Sequence, residues 1–183
     1  MKKLSKLFSK KEVRKYAVYV TVLLLLLGFV LFFTKLVVFL VFLGLAVLGS
    51  FLLVVLGTNS IGIEFITFPS LIFLYIYGWK EASIFSVIAL FLYMFITRSI
   101  SINTMLAFII LPIVLLCFVP FKGVGIFKLG IAMSLIGNGI FTVITIAFGT
   151  ARIHKRLIYF ATHVLWAWFL FGTFGEPVLK LLS

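Results

Sequence analysis

Residues 16–57 form an apolar stretch that contains a single charged side chain, Lys35. A transmembrane helix needs about 20 consecutive apolar residues, so this stretch is long enough for two spans. In lipid the backbone must satisfy its own hydrogen bonds, and a helix does so within one segment. The stretch therefore predicts membrane-spanning α-helices and excludes a soluble fold for this part of the chain.

Similar apolar runs fill the rest of the 183 residues, of which 64% are hydrophobic, compared with about 45–50% apolar residues in soluble domains. We predict an all-α fold, a polytopic transmembrane helical bundle of six or seven spans. Residues 1–15 form a basic tail, and residues 16–183 form a single membrane domain. Only the break at 34–35 has no Gly, Pro or Asn to mark it. The predicted spans are approximately 16–33, 36–57, 63–79, 82–97, 104–121, 126–149 and 156–174.

The net charge of +12 includes seven basic residues within residues 1–15. Basic residues beside spans favour anionic lipid headgroups as the partner, rather than nucleic acid. In the tail, Leu4, Leu7 and Phe8 recur at helical spacing, which favours an amphipathic helix on the inner leaflet over a disordered tail. With seven spans, eleven basic residues share the side of the N-terminus and five face the other side. We therefore expect a cytoplasmic N-terminus in a multi-pass protein of the cell membrane.

The chain contains no Asp and four Glu. Membrane proteases, hydrolases and transferases that hold a metal or share a proton between two carboxylates need carboxylate pairs, which cannot be assembled from these residues. Cys117 is the one cysteine and has no CxxC or Cys/His metal spacing, so we expect no metal and no cofactor. No GxxxxGK[ST] motif is present, so ATP hydrolysis would require another chain. These features favour a protein that is not an enzyme.

Glu64 is the one acidic residue inside a predicted span, and it precedes Thr67 and Pro69 in "GIEFITFPSL". An ionised carboxylate at mid-membrane costs about 2.5–3.5 kcal/mol on insertion scales, so its presence requires a cause. Two interpretations remain open. Glu64 contacts a ligand or a proton in a polar cavity, or it lies at the start of the third span, where the helix dipole favours negative charge. Pro69 is expected to kink that span.

Two later spans carry polar residues on one side. Ser134, Asn138, Thr142 and Thr145 recur at helical spacing in the sixth span, and His163 lies within the seventh. Such stripes usually hold helices together, whereas an ionisable residue within a span is by default a functional hypothesis. Both interpretations remain open for Asn138 and His163, and Trp166 also fits an aromatic belt. The predicted ligand-binding residues are Glu64, Thr67, Asn138, His163 and Trp166.

The stretch "IGIEFITFPSLIFLYIYGWKEASIFSVIALFLY" at 61–93 resembles the substrate-binding S components of energy-coupling-factor (ECF) vitamin transporters and related archaeal membrane proteins. In those families an acidic loop precedes a P-x-L helix start and a glycine-bounded hairpin, here "GIEFITFPSL" and "YIYGWKEASIFSV". Trp79 stands where the family often has Pro. The resemblance implies about six helices, a substrate loop lined by Glu64 and Thr67 on the outside, and an energising partner subunit. Seven spans would place that loop inside instead.

We therefore expect an integral membrane protein that binds or transports a small molecule. An alternative from another class is a non-catalytic structural or assembly subunit of a membrane complex, in which Glu64 pairs with a basic group on another subunit. A third is a degenerate transpeptidase similar to the exosortases, whose candidate residues are Cys117, Arg98, Arg152, His154 and His163. However, "IEFITFPSL" has no Cys, and Phe141 stands where that family would have its catalytic Arg.

Overall fold

The computed structural model describes residues 10–56, 65–98, 102–148 and 153–182, and within these ranges it contains helices and no strand. The predicted all-α fold is therefore confirmed. The elements are α1 (Lys10–Leu56), α2 (Thr67–Ile76), α3 (Trp79–Thr97), α4 (Ile102–Phe118), a 3-10 helix (Val119–Val124), α5 (Ile126–Ala147), α6 (Ile153–Leu170), a π-helical turn (Phe171–Gly175) and α7 (Glu176–Leu182).

Five helical stretches in the described residues are long and apolar enough to cross a membrane, as in a membrane protein with transmembrane helices. The prediction of six or seven spans differs from this number at two places. Residues 16–56 lie in one helix, and in the described part of the predicted span at 63–79 the helix α2 covers ten residues, Thr67–Ile76. At 1.5 Å per residue α2 is about 15 Å long, roughly half the hydrocarbon thickness. The five stretches are Val18–Val55, Trp79–Thr97, Thr104–Val124, Ile126–Ala147 and Ile153–Leu182.

The predicted hairpin at 34–35 is wrong, because α1 continues through Thr34 and Lys35. No Gly, Pro or Asn lies between Phe29 and Leu43, and lysine is a good helix former. A single charge within an apolar run is therefore not enough to end a helix. The predicted tail overlaps this helix, which begins at Lys10; residues 1–9 lie outside the described residues.

The chain divides into two compact units, Met1–Val41 and Phe42–Ser183. In the first unit, the α1 side chains from Val18 to Phe29 are exposed. In the second unit, one face of α1 is buried, as expected for a helix that packs on one side, and besides Gly49 it includes four positions with helical spacing. These positions are Phe42, Ala46, Ser50 and Leu53.

In the second unit, α2 is the most buried element, since every residue from Phe68 to Leu74 is buried. A helix that is apolar on all sides belongs in a core. Phe73 of α2 stacks on Phe85 of α3, with ring centroids 4.9 Å apart. The predicted kink at Pro69 is wrong because α2 begins at Thr67, which places Pro69 in the first turn. There, a backbone N–H would have no intrahelical acceptor, so proline costs no hydrogen bond.

Helices α5 and α6 pack side by side and run antiparallel. Positions later in α5 face positions earlier in the following helix: Gly130 meets Phe171, and Phe141 meets Arg156. A Cβ on Gly130 would overlap the Phe171 ring, so only glycine permits this approach. Phe171 also packs on Phe68 of α2, with centroids 5.0 Å apart. The π-helical turn that carries Phe171 thus links α2, α5 and α6.

Candidate functional site

A hydrogen bond joins Asn138 of α5 to His163 of α6, with 2.8 Å between Asn138 Nδ2 and His163 Nδ1. Asn138 Nδ2 also donates to the Ser134 carbonyl oxygen at 3.0 Å. Because that carbonyl can only accept, it fixes the amide with its NH2 group toward the histidine. With the amide in this orientation, His163 Nδ1 accepts the hydrogen bond. Two of the predicted ligand-binding residues are therefore in direct contact.

The His163 side chain is 7% exposed and lies against the Tyr159 ring, with centroids 5.2 Å apart. Tyr159 in turn packs on Arg156, whose guanidinium carbon is 4.6 Å from the Tyr159 ring centroid. The same guanidinium lies 4.5 Å from the Phe141 ring centroid on α5. Cations are attracted to aromatic faces at this range. Arg156, Tyr159 and His163 therefore form a continuous line along one face of α6.

Four polar side-chain atoms of α5 and α6 are buried without a hydrogen-bond partner. They are Ser134 Oγ, Thr142 Oγ1, and Arg156 Nε and Nη2. Buried polar atoms in folded proteins are in large majority hydrogen-bonded, so four unpaired atoms on two adjacent helices are unusual. The α5–α6 interface thus combines one satisfied polar pair with several unsatisfied groups. We call the residues Ser134, Asn138, Phe141, Thr142, Arg156, Tyr159 and His163 the α5–α6 polar face.

The predicted polar stripe of α5 does not act uniformly as a link between helices. Thr145 Oγ1 donates to the Thr142 carbonyl oxygen at 3.0 Å, within its own helix. Asn138 is the stripe residue whose side chain bonds to a residue of α6 in the described contacts. Asn138 thus belongs both to the contact between α5 and α6 and to the candidate site.

Trp166 lies one turn after His163 on α6. Its ring packs near Phe65, with centroids 6.3 Å apart, and near Phe169 at 5.7 Å. Thr67 begins α2 and is half-buried, and within the described residues no hydrogen bond joins it to Asn138 or His163. Glu64 lies outside the described residues, so its role stays a prediction.

Arg156 was missed as a site residue in the sequence, where "RIHKR" has the composition of a basic segment flanking a span. A signal was nevertheless present. Arg156, Tyr159 and His163 are separated by three and four residues, the spacing of one helical face. Its burial, with 8% of its surface exposed, distinguishes Arg156 from the exposed Lys155 beside it.

Cys117 lies on α4 with an exposed side chain, and no hydrogen bond joins its thiol to a histidine in the described part of the chain. Within the same residues, no group of three His, Cys, Asp or Glu side chains could hold a metal ion. Comparisons with protein-family models, with curated proteins and with solved structures find no match to this chain. The resemblance to S components therefore stays a prediction.

Proposed function

We propose that this chain is a non-catalytic integral membrane protein that binds a small molecule at the α5–α6 polar face. Its role would be that of a substrate-binding subunit, as the resemblance to S components implies. Another subunit or an ion gradient would supply the energy for transport. Such a protein needs polar side chains held at fixed positions inside an apolar bundle, and a means of releasing what it binds.

The observation that supports this proposal is the Asn138–His163 hydrogen bond. Polar bonds between membrane helices contribute on average only about 0.6 kcal/mol, so holding α5 against α6 does not by itself require this pair. Within the described contacts, the amide uses its N–H groups and its Oδ1 accepts no hydrogen bond. Oδ1 of Asn138 is therefore an acceptor that remains for a ligand.

Because α1 is one continuous helix, the distribution of basic residues has to be compared with a topology other than the predicted seven spans. If α1 crosses once and the short helix α2 also crosses, residues 1–15 lie on the same side as the turns at 77–81 and 119–125. That side would carry eleven basic residues, with four on the other side: Arg98, Arg152, Lys155 and Arg156. The positive-inside rule then favours a cytoplasmic N-terminus with residues 57–66 outside, and α2 counts as the sixth span of this arrangement. This is the arrangement that S components have.

Ligand-dependent stabilisation tests the proposal. The protein would be purified in a neutral detergent and heated with each member of a panel of water-soluble vitamins. A ligand at 100 times its Kd stabilises the folded state by about 2.7 kcal/mol, which a melting curve detects. We expect Asn138→Leu to remove the stabilisation and Thr162→Val to retain it, because the Thr162 hydroxyl donates to carbonyl oxygens of its own helix. A chain that no compound stabilises, and that remains folded only beside another subunit, would be an assembly subunit instead.

A further inference from the structure

We propose that Arg156 binds an oxyanion, a carboxylate or a phosphate group, through Nε and Nη2. The inference rests on the proposed function, because it names the class of ligand that the α5–α6 polar face would take. It assigns the charged part of that ligand to a residue that the sequence presents as a flanking charge.

The two unpartnered nitrogens of Arg156 are the two whose N–H bonds point the same way. In a guanidinium, the Nε–H and one Nη2–H are parallel and match the spacing of two oxygens on one carboxylate or phosphate. Both atoms are buried without a hydrogen-bond partner. The protein therefore leaves unused the edge of the side chain that is suited to bidentate recognition of an oxyanion.

The surroundings of Arg156 hold its guanidinium in position without neutralising its charge. The Phe141 and Tyr159 rings lie 4.5 and 4.6 Å from it, and in the described part of the chain no carboxylate pairs with it. Aromatic faces attract a cation but accept no strong hydrogen bonds. A buried charge that lacks hydrogen bonds is unfavourable, and an oxyanion would supply both the opposite charge and two acceptors.

The position of Arg156 along α6 also favours an anion. It is the fourth residue of the helix, in the first turn, where backbone N–H groups lack intrahelical acceptors and the helix dipole favours negative charge. The end of a spanning helix lies near the depth of the lipid headgroups, so a lipid phosphate and a free oxyanion present the same chemistry. Both nitrogens are shielded, so either one reaches them only when the covering atoms move.

The chain has four arginines, Arg14, Arg98, Arg152 and Arg156, so the Nε–H signals of protein labelled with 15N-arginine can be resolved by NMR. The signal that is lost in Arg156→Lys identifies Arg156. Inorganic phosphate would be titrated into protein in dodecylmaltoside. We expect the Arg156 signal to move to saturation and the other three to move less. The same titration in nanodiscs of phosphatidylcholine, with and without phosphatidylglycerol, separates the two sources.

Saturation by phosphate in detergent would identify a free oxyanion. A shift only in discs that contain phosphatidylglycerol would identify a lipid phosphate. An Arg156 signal that responds to neither, or no more than the other three, would overturn the proposal. Two variants serve as controls for a general effect of charge. Arg156→Lys keeps the positive charge but loses the two parallel N–H donors, whereas Lys155→Gln removes an adjacent exposed charge.

In a melting assay with the same probe, we expect Arg156→Lys to weaken apparent binding by about tenfold or more, since one of two charge-assisted hydrogen bonds is lost. Lys155→Gln should change it little, and equal weakening by both variants would contradict the inference. The proposed function fails separately. If a neutral ligand stabilises the protein in a way that depends on Asn138, and the Arg156 signal does not respond to phosphate, the proposed ligand site is supported. The proposal that its ligand is an anion is then refuted.

Discussion

At the scale of single residues, the amide of Asn138 and the ring of His163 depend on each other. Replacing Asn138 by Leu leaves His163 Nδ1 buried without its amide donor. An unsatisfied buried group costs about 1–3 kcal/mol, so we expect Asn138→Leu to lower the free energy of unfolding by that amount. Chemical denaturation in mixed micelles, followed by circular dichroism, would measure the change.

A double-mutant cycle isolates the pair. His163→Phe in the Asn138→Leu background removes the histidine that the first change leaves without its amide donor, so we expect the double variant to recover part of the lost stability. Thr162→Val should stay within about 0.5 kcal/mol of the wild type, because its hydroxyl makes local bonds on the exposed side of α6. Additive losses in the cycle would mean that the two side chains do not interact.

Asn138 and His163 could be selected from the sequence because a polar side chain in an apolar span has few places to go; the structure brings them into contact, and their ligand-binding role stays a prediction. Such a side chain must face protein, and both residues do. The same reasoning missed Arg156, since a basic residue near the end of a span normally extends to the headgroups. The spacing of Arg156, Tyr159 and His163 indicates a shared face of α6, but the contact of the guanidinium with the Phe141 ring of α5 could not be predicted from α6 alone.

At the scale of helical elements, the contact between Gly130 and Phe171 fixes how closely the π-helical turn approaches α5. We expect Gly130→Ala to destabilise the protein by about 1–3 kcal/mol, because the new methyl group overlaps the ring and the core must shift. Gly139→Ala is the matched control on the same helix. Its Cβ would meet nothing within 4 Å, so the change should be neutral or slightly stabilising. Thermal unfolding of both variants measures the difference.

Combining Gly130→Ala with Phe171→Ala tests whether steric overlap causes the loss of stability. If steric overlap is responsible, Phe171→Ala should reduce the penalty of Gly130→Ala, although Phe171→Ala by itself removes a buried ring. An unchanged penalty would place the strain elsewhere on α5.

The continuity of α1 can be measured with two spin labels in the first unit. We would place them at Leu24 and Val41, both exposed, in a Cys117→Ser background. The sites are about 26 Å apart along a continuous helix. A hairpin at 34–35 would bring the backbones within roughly 12 Å, given packed helices 8–10 Å apart. A distance distribution centred at the shorter value would contradict a single helix.

The sequence-based error at this element has a physical cause. Length alone indicated two spans, since residues 16–57 exceed the thickness of a bilayer twice over. A hairpin also needs residues that release the helical backbone, and Thr34 and Lys35 do not. For α2 the error was to predict a full span. The apolar stretch at 63–79 is long enough, but Pro69 suits the first turn of a helix, and α2 begins only at Thr67.

At the scale of the whole molecule, the side of residues 57–61 relative to the N-terminus distinguishes one crossing by α1 from two. We expect Ser60→Cys in a Cys117→Ser background to react with a membrane-impermeant maleimide on intact cells. Ser5→Cys in the same background should react only after the membrane is opened. If both cysteines are labelled from the same side of the membrane, a single crossing by α1 is contradicted, and the hairpin and the seven-span arrangement are supported.

Three pairs of facing residues connect α5 to the helical segment that follows it. Gly130 accommodates Phe171, Asn138 meets His163, and Phe141 covers Arg156. A bulkier residue at one member of a pair therefore requires a smaller one at the other. In related sequences, a substitution at position 130 should therefore be accompanied by one at 171, and a substitution at 138 by one at 163. Such paired substitutions would show which residues of the two helices are in contact.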